Sequence, residues 1–298
     1  FFCFFVMALA VSSAAAVLPS AHGEDLEGER AAQAGGAAPP GPGPKRYAVR
    51  ETPGTVQAKL LKAAWSLLGC VSTRAVADRA RLPNTLSYID CSEHPKVVGH
   101  CALTIDDGPT RHGPGTSLTP DVLALLEEYQ ARATFFLVSD YVLGNEADVR
   151  AIVAAGHELG HHCTTDQPYH RHSPEAFTAD VEAAAAVLQQ YQERLRWFRA
   201  PWGRYTAEME GVVSGRGMRN VMTDAFACCP RIPDPQFIAN FLLKVVQDGS
   251  IIVLHMPEAG FRVWTLEALR LLLQGLAARG LRCVTVGDLV ELAALEQE

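Results

Sequence analysis

The chain has 298 residues, 48% hydrophobic and 20% charged, and a mean hydropathy of +0.06, which excludes wholesale disorder and a multi-span membrane protein. Its formal net charge is -7 and its pI about 5.8; with no dense Lys/Arg block, nucleic acid is excluded as an expected partner. A ~150-residue domain prior suits two domains, or one α/β barrel of roughly 200 to 250 residues with extensions.

The opening stretch is apolar or small from Phe1 to Leu18 and runs into Ala21, His22 and Gly23, with small residues where a signal peptidase reads. It predicts a secretory signal over 1–23, and hence a secreted or cell-wall protein; an uncleaved membrane anchor is the alternative. Residues 24–44, rich in Gly, Ala, Pro and charge, read as a flexible linker. An N-terminal extension, 45–100, carries no motif and reads as a small lobe or an arm across the bottom of the next domain. Within it Leu60, Leu61, Ala64, Trp65 and Leu68 predict one helix over 57–68. Of the eight cysteines, those beyond Cys3 are odd in number and lack a CxxC pair. A bridge between Cys91 and Cys101, or from Cys70 to one of them, is expected beside at least one free thiol.

From Cys101 onward, short apolar runs (102–105, 134–138, 157–160, 197–198, 220–222, 251–254, 282–286) alternate with segments of helical period (120–129, 145–155, 174–194, 206–216, 235–247, 265–279). Thr119 and Ser173 precede prolines as caps, and Gly156 and Gly280 follow their helices as stops. The alternation predicts a parallel sheet with crossover helices. Asp106, Asp107, His161, His162, Arg199, Asp224 and His255 follow strand runs, and such strand ends converge on one rim, which favours a barrel.

Asp106 and Asp107 end an apolar run before Gly108-Pro109; one can bind a cation while the other acts as base, or the pair is a solvated turn. His162 and Asp166 stand four apart with His161 adjacent, a spacing that chelates a metal if the chain turns helically there. Arg199 can grip a carboxylate, and Trp202 can line a sugar-stacking wall, unless both serve an ordinary ion pair and the core. His255, at the end of Ser250-Ile251-Ile252-Val253-Leu254, can titrate as acid or base, or be structural.

In order, Thr-Ile-Asp-Asp-Gly-Pro, Gly-His-Glu-Leu-Gly-His-His, Arg-Ala-Pro-Trp and Ile-Val-Leu-His resemble the motifs of the polysaccharide deacetylase family, also called NodB homology or carbohydrate esterase family 4. The resemblance covers 101–292. It implies a distorted (β/α)7 barrel and metal-dependent hydrolysis of N-acetyl groups from an amino-sugar polysaccharide or oligosaccharide, chitin-like first, with metal-bound water as nucleophile. Carried onto this sequence, it makes Asp106 the base, Asp107 and His162 metal ligands, Arg199 the residue that steadies the base, and His255 the acid. A main-chain N–H near Tyr169 would be a further oxyanion donor.

Two departures stand out. The family's second metal histidine is Asp166 here, and His161 replaces an Asn. An Asp107/His162/Asp166 set is expected to hold the metal, zinc first with cobalt or manganese as alternatives, and His161 is the second choice to Asp166. The motif that orients the acid is poorly matched; Asp224 is the nearest candidate, and Trp264 reads as a helix-start core residue. Trp202, Tyr169, Pro201 and Phe261 are the expected sugar-contacting residues. The competing reading is a catalytically decayed scaffold that binds carbohydrate.

Overall fold

A computed structural model describes residues 56–69, 72–80 and 84–295. The expected signal and linker, and Cys70, lie outside the described residues. In chain order the elements are α1 (Val56–Leu68), α2 (Thr73–Ala80), β1 (Thr85–Leu86), β2 (His100–Gly108), α3 (Thr119–Glu128), β3 (Ala133–Leu137), α4 (Glu146–Ala154), β4 (Glu158–His161), α5 (Pro174–Leu188), β5 (Trp197–Phe198), α6 (Ala207–Ser214), β6 (Arg219–Val221), β7 (Ala225–Phe226), α7 (Pro235–Val245), β8 (Ile251–His255), α8 (Trp264–Ala278), β9 (Arg282–Val284) and α9 (Val286–Ala294).

The strands form one parallel sheet in the order β1-β6-β5-β4-β3-β2-β8-β7, with β9 beside the start of β2. The sheet curls into a distorted barrel and stays open between β1 and β7. Strands buried on both faces, such as β3, are covered by helices outside and by side chains inside. Alternation divides the strands accordingly. Leu103, Phe135 and Ile252 join the larger core, whereas Ala102, Phe136 and Ile251 join a second cluster with Val286, Leu289 and Ala293 of α9. Leu86, Ile89 and Val97 belong to that second cluster too.

The extension packs on the barrel flank. Trp65 of α1 is fully buried, edge-on to Phe226 at 5.6 Å and Phe241 at 5.5 Å. Arg74 of α2 reaches the Asp224 carboxylate at 3.1 Å.

The expected helix over 174–194 stops at Leu188, because Gln192 turns back to hydrogen-bond both the N–H and the carbonyl of Leu159. Ser173 caps α5 as expected, accepting from Ala176 N–H. Thr119 does not cap α3; it is the first helical residue, and its N–H donates to Ser117 Oγ. The apolar run 282–286 divides at Thr285, whose capping box with Asp288 starts α9. Cys91 and Cys101 are free thiols and form no bridge; Cys101 instead faces Cys283 on β9, its register partner, at 3.9 Å between sulfurs.

Candidate active site

Strand alternation points Ala102, Thr104 and Asp106 to the barrel interior and would send Asp107 outward. The backbone breaks that rule: the register between β2 and β3 shifts between Asp106 and Gly108, and Asp107 adopts a left-handed φ of +62°. Both carboxylates therefore line one pocket. On the neighbouring strand, His255 is the register partner of Asp106 and lines the same pocket.

Arg199, just past β5, is fixed on all sides. Its Nε donates to the Val221 carbonyl at 2.9 Å, and Nη2 donates to that of Met222 at 3.1 Å. Nη1 donates to Thr104 Oγ1 at 2.7 Å and to Asp106 Oδ1 at 2.6 Å, while the guanidinium lies 4.1 Å over the Phe136 ring. Its expected grip on Asp106 is present as a buried, charge-assisted hydrogen bond.

His162 Nδ1 lies 2.7 Å from the Arg199 carbonyl. A carbonyl can only accept, so Nδ1 carries the hydrogen and Nε2 is the nitrogen that faces Asp107 Oδ1, at 3.4 Å. The second oxygen of Asp107 accepts from Arg262 Nη1 at 2.5 Å, a partner that no sequence motif signalled. Burial alone would raise the Asp107 pKa, but the His162 hydrogen bond and the positive charges around it hold that carboxyl well below the ordinary range. Burial likewise opposes charge on His162, yet the Asp107 hydrogen bond and the two aspartates raise its pKa.

Asp166 lines the pocket but accepts from Trp202 Nε1 at 2.9 Å. Burial, then the negative charge of Asp107, raises its pKa, as expected of a carboxylate that faces a second one. Among the described residues no three His, Cys, Asp or Glu side chains already converge as a metal cluster, so the expected Asp107/His162/Asp166 set is not preassembled. Its chemistry nonetheless fits a divalent ion: two carboxylates, and an imidazole whose Nδ1–H is held by a carbonyl so that Nε2 faces the pocket. His161 is not a substitute ligand. Its ring is fully buried, with Nε2 3.0 Å from the Val181 carbonyl and Nδ1 accepting from Cys163 N–H.

Asp224 does not orient His255. Its carboxylate is committed to Arg74, to Ser250 Oγ at 2.8 Å and to Ile251 N–H at 2.9 Å, so it braces the start of β8, at the other end from the histidine. The ring of His255 meets Cys229 instead, with Nδ1 3.2 Å from Sγ. Burial pushes the Cys229 thiol up to about 12 and His255 down to about 4, so both are neutral near pH 7. This pair admits the tautomer in which S–H donates to Nδ1 and the ring hydrogen sits on Nε2. Trp264 Nε1 fastens the Cys229 carbonyl at 2.8 Å. Trp264 does begin a helix packed on the core, as its position predicted.

The pocket has a volume of about 260 Å³. Trp202, 53% exposed, stands at it as expected, with Phe226 and Met222 as further apolar walls. The three other expected sugar contacts do not line it. Tyr169 is buried and its hydroxyl meets Thr164, Thr165 and Asp180, and Pro201 is the buried first residue of the turn that presents Trp202. Phe261 lies under two guanidiniums, Arg111 at 3.7 Å and Arg262 at 4.6 Å from its centroid.

The sequence model of one family, polysaccharide deacetylase, matches residues 94–221. A peptidoglycan-N-acetylglucosamine deacetylase of Bacillus cereus is 30% identical over 192 residues, 63% of this chain and 87% of that protein. A chitooligosaccharide deacetylase of Azorhizobium caulinodans is 32% identical over 194 residues, 60% of this chain and 88% of that protein. Among solved structures, the Xyl-CE4 domain of a multidomain xylanase from the hindgut metagenome of Trinervitermes trinervoides has a TM-score of 0.58 at 28% identity, covering 65% of this chain and 90% of that one. A CE4 family pseudoenzyme from Bacillus anthracis shares the fold, with a TM-score of 0.61 at 20% identity and 70% coverage of each chain.

Proposed function

The chain belongs to the polysaccharide deacetylase family, a family of hydrolases, and from that premise we propose that it removes N-acetyl groups from an amino-sugar polysaccharide or oligosaccharide of chitin type, with a divalent metal. The observation that carries this reading is the register pairing of Asp106 with His255. It places a carboxylate and an imidazole side by side on one wall of a pocket, as two proton-transfer steps require.

In the proposed reaction Asp106, steadied by Arg199, takes a proton from the attacking water as its oxygen bonds to the acetyl carbon. His255, neutral at rest, takes up the proton that Asp106 removed from the water and delivers it to the sugar nitrogen as the C–N bond breaks, and acetate and the free amine leave. Asp107, His162 and Asp166 would hold the ion, zinc first with cobalt or manganese as alternatives. A bound dication supplies a more acidic water and charge for the carbonyl oxygen. Trp202 offers an aromatic face for a sugar ring. Export through a signal over 1–23 suits a polymeric cell-wall substrate and belongs to the same proposal.

A second reading, sugar binding without turnover, draws on Asp166 being tied to Trp202. The test is acetate release from chitin oligosaccharides by chelated protein resupplied with zinc, cobalt or manganese. Release that depends on metal and disappears in Asp106→Asn, with folding intact, supports the hydrolase. Oligosaccharide binding without release under any metal would replace it with the binding reading.

A further inference from the structure

Two aspartates in the pocket each bear an arginine, and the two arginines are held very differently. Arg199 has acceptors on Nε, Nη1 and Nη2 and a ring beneath it. Arg262 is equally buried, 8% exposed, yet Asp107 is its only hydrogen-bonding acceptor among the described residues, and its Nε is buried with no partner. Arg199 is hydrogen-bonded at all three nitrogens, whereas Arg262 is hydrogen-bonded at one and stacked on Phe261.

Arg262 also has an unusual origin. It follows a tight turn in which Glu258 and Phe261 exchange main-chain hydrogen bonds of 2.9 and 3.0 Å, and it takes a left-handed φ of +54°. For a side chain this large that conformation costs on the order of 1 kcal/mol or more. Stacking on Phe261 and the charge on Asp107 are what the turn gains in return. Arg111, on the same ring at 3.7 Å and paired with Glu258 at 3.4 Å, holds the turn from its other side.

Asp107 thus has both oxygens engaged, Oδ1 by His162 and Oδ2 by Arg262. A divalent ion that takes Asp107 as a ligand through Oδ1, beside His162 Nε2, meets a guanidinium on Oδ2 of the same carboxylate, and the two cations repel across it in a buried pocket. We propose that Arg262 is a tethered internal cation that competes with a divalent ion for the charge of Asp107, so that Arg262 sets the metal affinity of the site. The inference rests on the metal-site reading above.

A repulsion that weakens metal binding tenfold corresponds to about 1.4 kcal/mol, a modest demand on two positive charges that face one buried carboxylate.

The test is cobalt binding to the full chain, followed by the visible absorption of the bound ion and by equilibrium dialysis, for the wild type, Arg262→Gln and Arg262→Lys, with far-UV circular dichroism of each. Arg262→Gln is expected to bind cobalt about tenfold tighter, and Arg262→Lys, which keeps the charge but loses the planar fork, about threefold tighter. If Arg262→Gln does not fold, the lysine variant decides. Equal or weaker affinity in the folded variants overturns the proposal, as does the absence of cobalt binding in all three proteins. Acetate release measured on the same samples separates the two readings. Unchanged affinity with turnover removes the role of Arg262 and leaves the hydrolase standing, whereas tighter binding without turnover leaves Arg262 in its role and removes the hydrolase.

Discussion

Arg199 reaches His162 through its main chain and Asp106 through its side chain: the Arg199 carbonyl accepts from His162 Nδ1 at 2.7 Å while Nη1 donates to Asp106 Oδ1 at 2.6 Å. One residue at the end of a two-residue strand therefore sets both the proton position on the imidazole and the orientation of the adjacent carboxylate.

Replacing Arg199 with Ala leaves Asp106 buried without its cation. Breaking a buried pair in this way costs about 3–5 kcal/mol. Urea denaturation is expected to show a loss of that size together with loss of acetate release. A variant with wild-type stability would show that Asp106 finds another partner or protonates at little cost.

Cys229 replaces the expected Asp224 as the neighbour of His255. Cys229→Ala is expected to lower acetate release about tenfold with the fold intact, because the ring loses its tautomer-fixing contact. Cys229→Asp places a negative charge against the imidazole and favours its protonated form, so the limb of the pH profile due to His255 should move to higher pH. An unmoved limb would argue that Cys229 only fills space.

Trp202 has two functions that substitution can separate. Trp202→Phe keeps an aromatic face but loses the Nε1 donor to Asp166, so the Michaelis constant for oligosaccharides should hold within about threefold while Asp166 is released to the pocket. Trp202→Ala loses both, and a rise of about tenfold in that constant is expected from the lost stacking. Equal behaviour of the two variants would deny the ring a sugar-binding role.

Burial lowers the pKa of His157 and of His161 from 6.5 to about 4. Both are neutral in the fold, while the unfolded chain takes up protons near 6.5, so the unfolded state binds more protons between those values. Stability should therefore rise with pH across about 4 to 6.5 and fall on acidification, by a few kcal/mol in all. His162, whose pKa is raised, works in the opposite sense and is outnumbered. Urea midpoints at pH 7 and pH 5 check the sign; a higher midpoint at pH 5 would reverse it.

Periodicity made seven of the nine strands among the described residues and their crossover helices readable, since core packing imposes it locally, while β1 and β7, two residues each, escaped it. The motif order likewise carried Asp106, Asp107, His162, Arg199 and His255, all of which line one pocket. What escaped were contacts made between distant segments. Cys229 meets His255 across 26 positions, Arg262 meets Asp107 across 155, and neither residue type announces such a partner. Tyr169 misled because an aromatic beside a histidine cluster looks the same in sequence whether its ring faces sugar or core. Asp224 misled because its strand-end position is real, but β7 and β8 run parallel and direct it to the opposite end of β8 from His255.

The flank contact of Trp65 with Phe226 has a bearing on how little of the chain can stand alone. Phe226 sits on the terminal strand of an unclosed sheet, and it also faces His255, with ring centroids 5.8 Å apart. A fragment trimmed to begin at β2 would wet that edge, strip Arg74 from the buried Asp224 and loosen the wall beside the proposed acid. α1 and α2 are staves that the barrel borrows from its own extension, so the smallest piece able to hold the pocket's shape begins well upstream of the first aspartate.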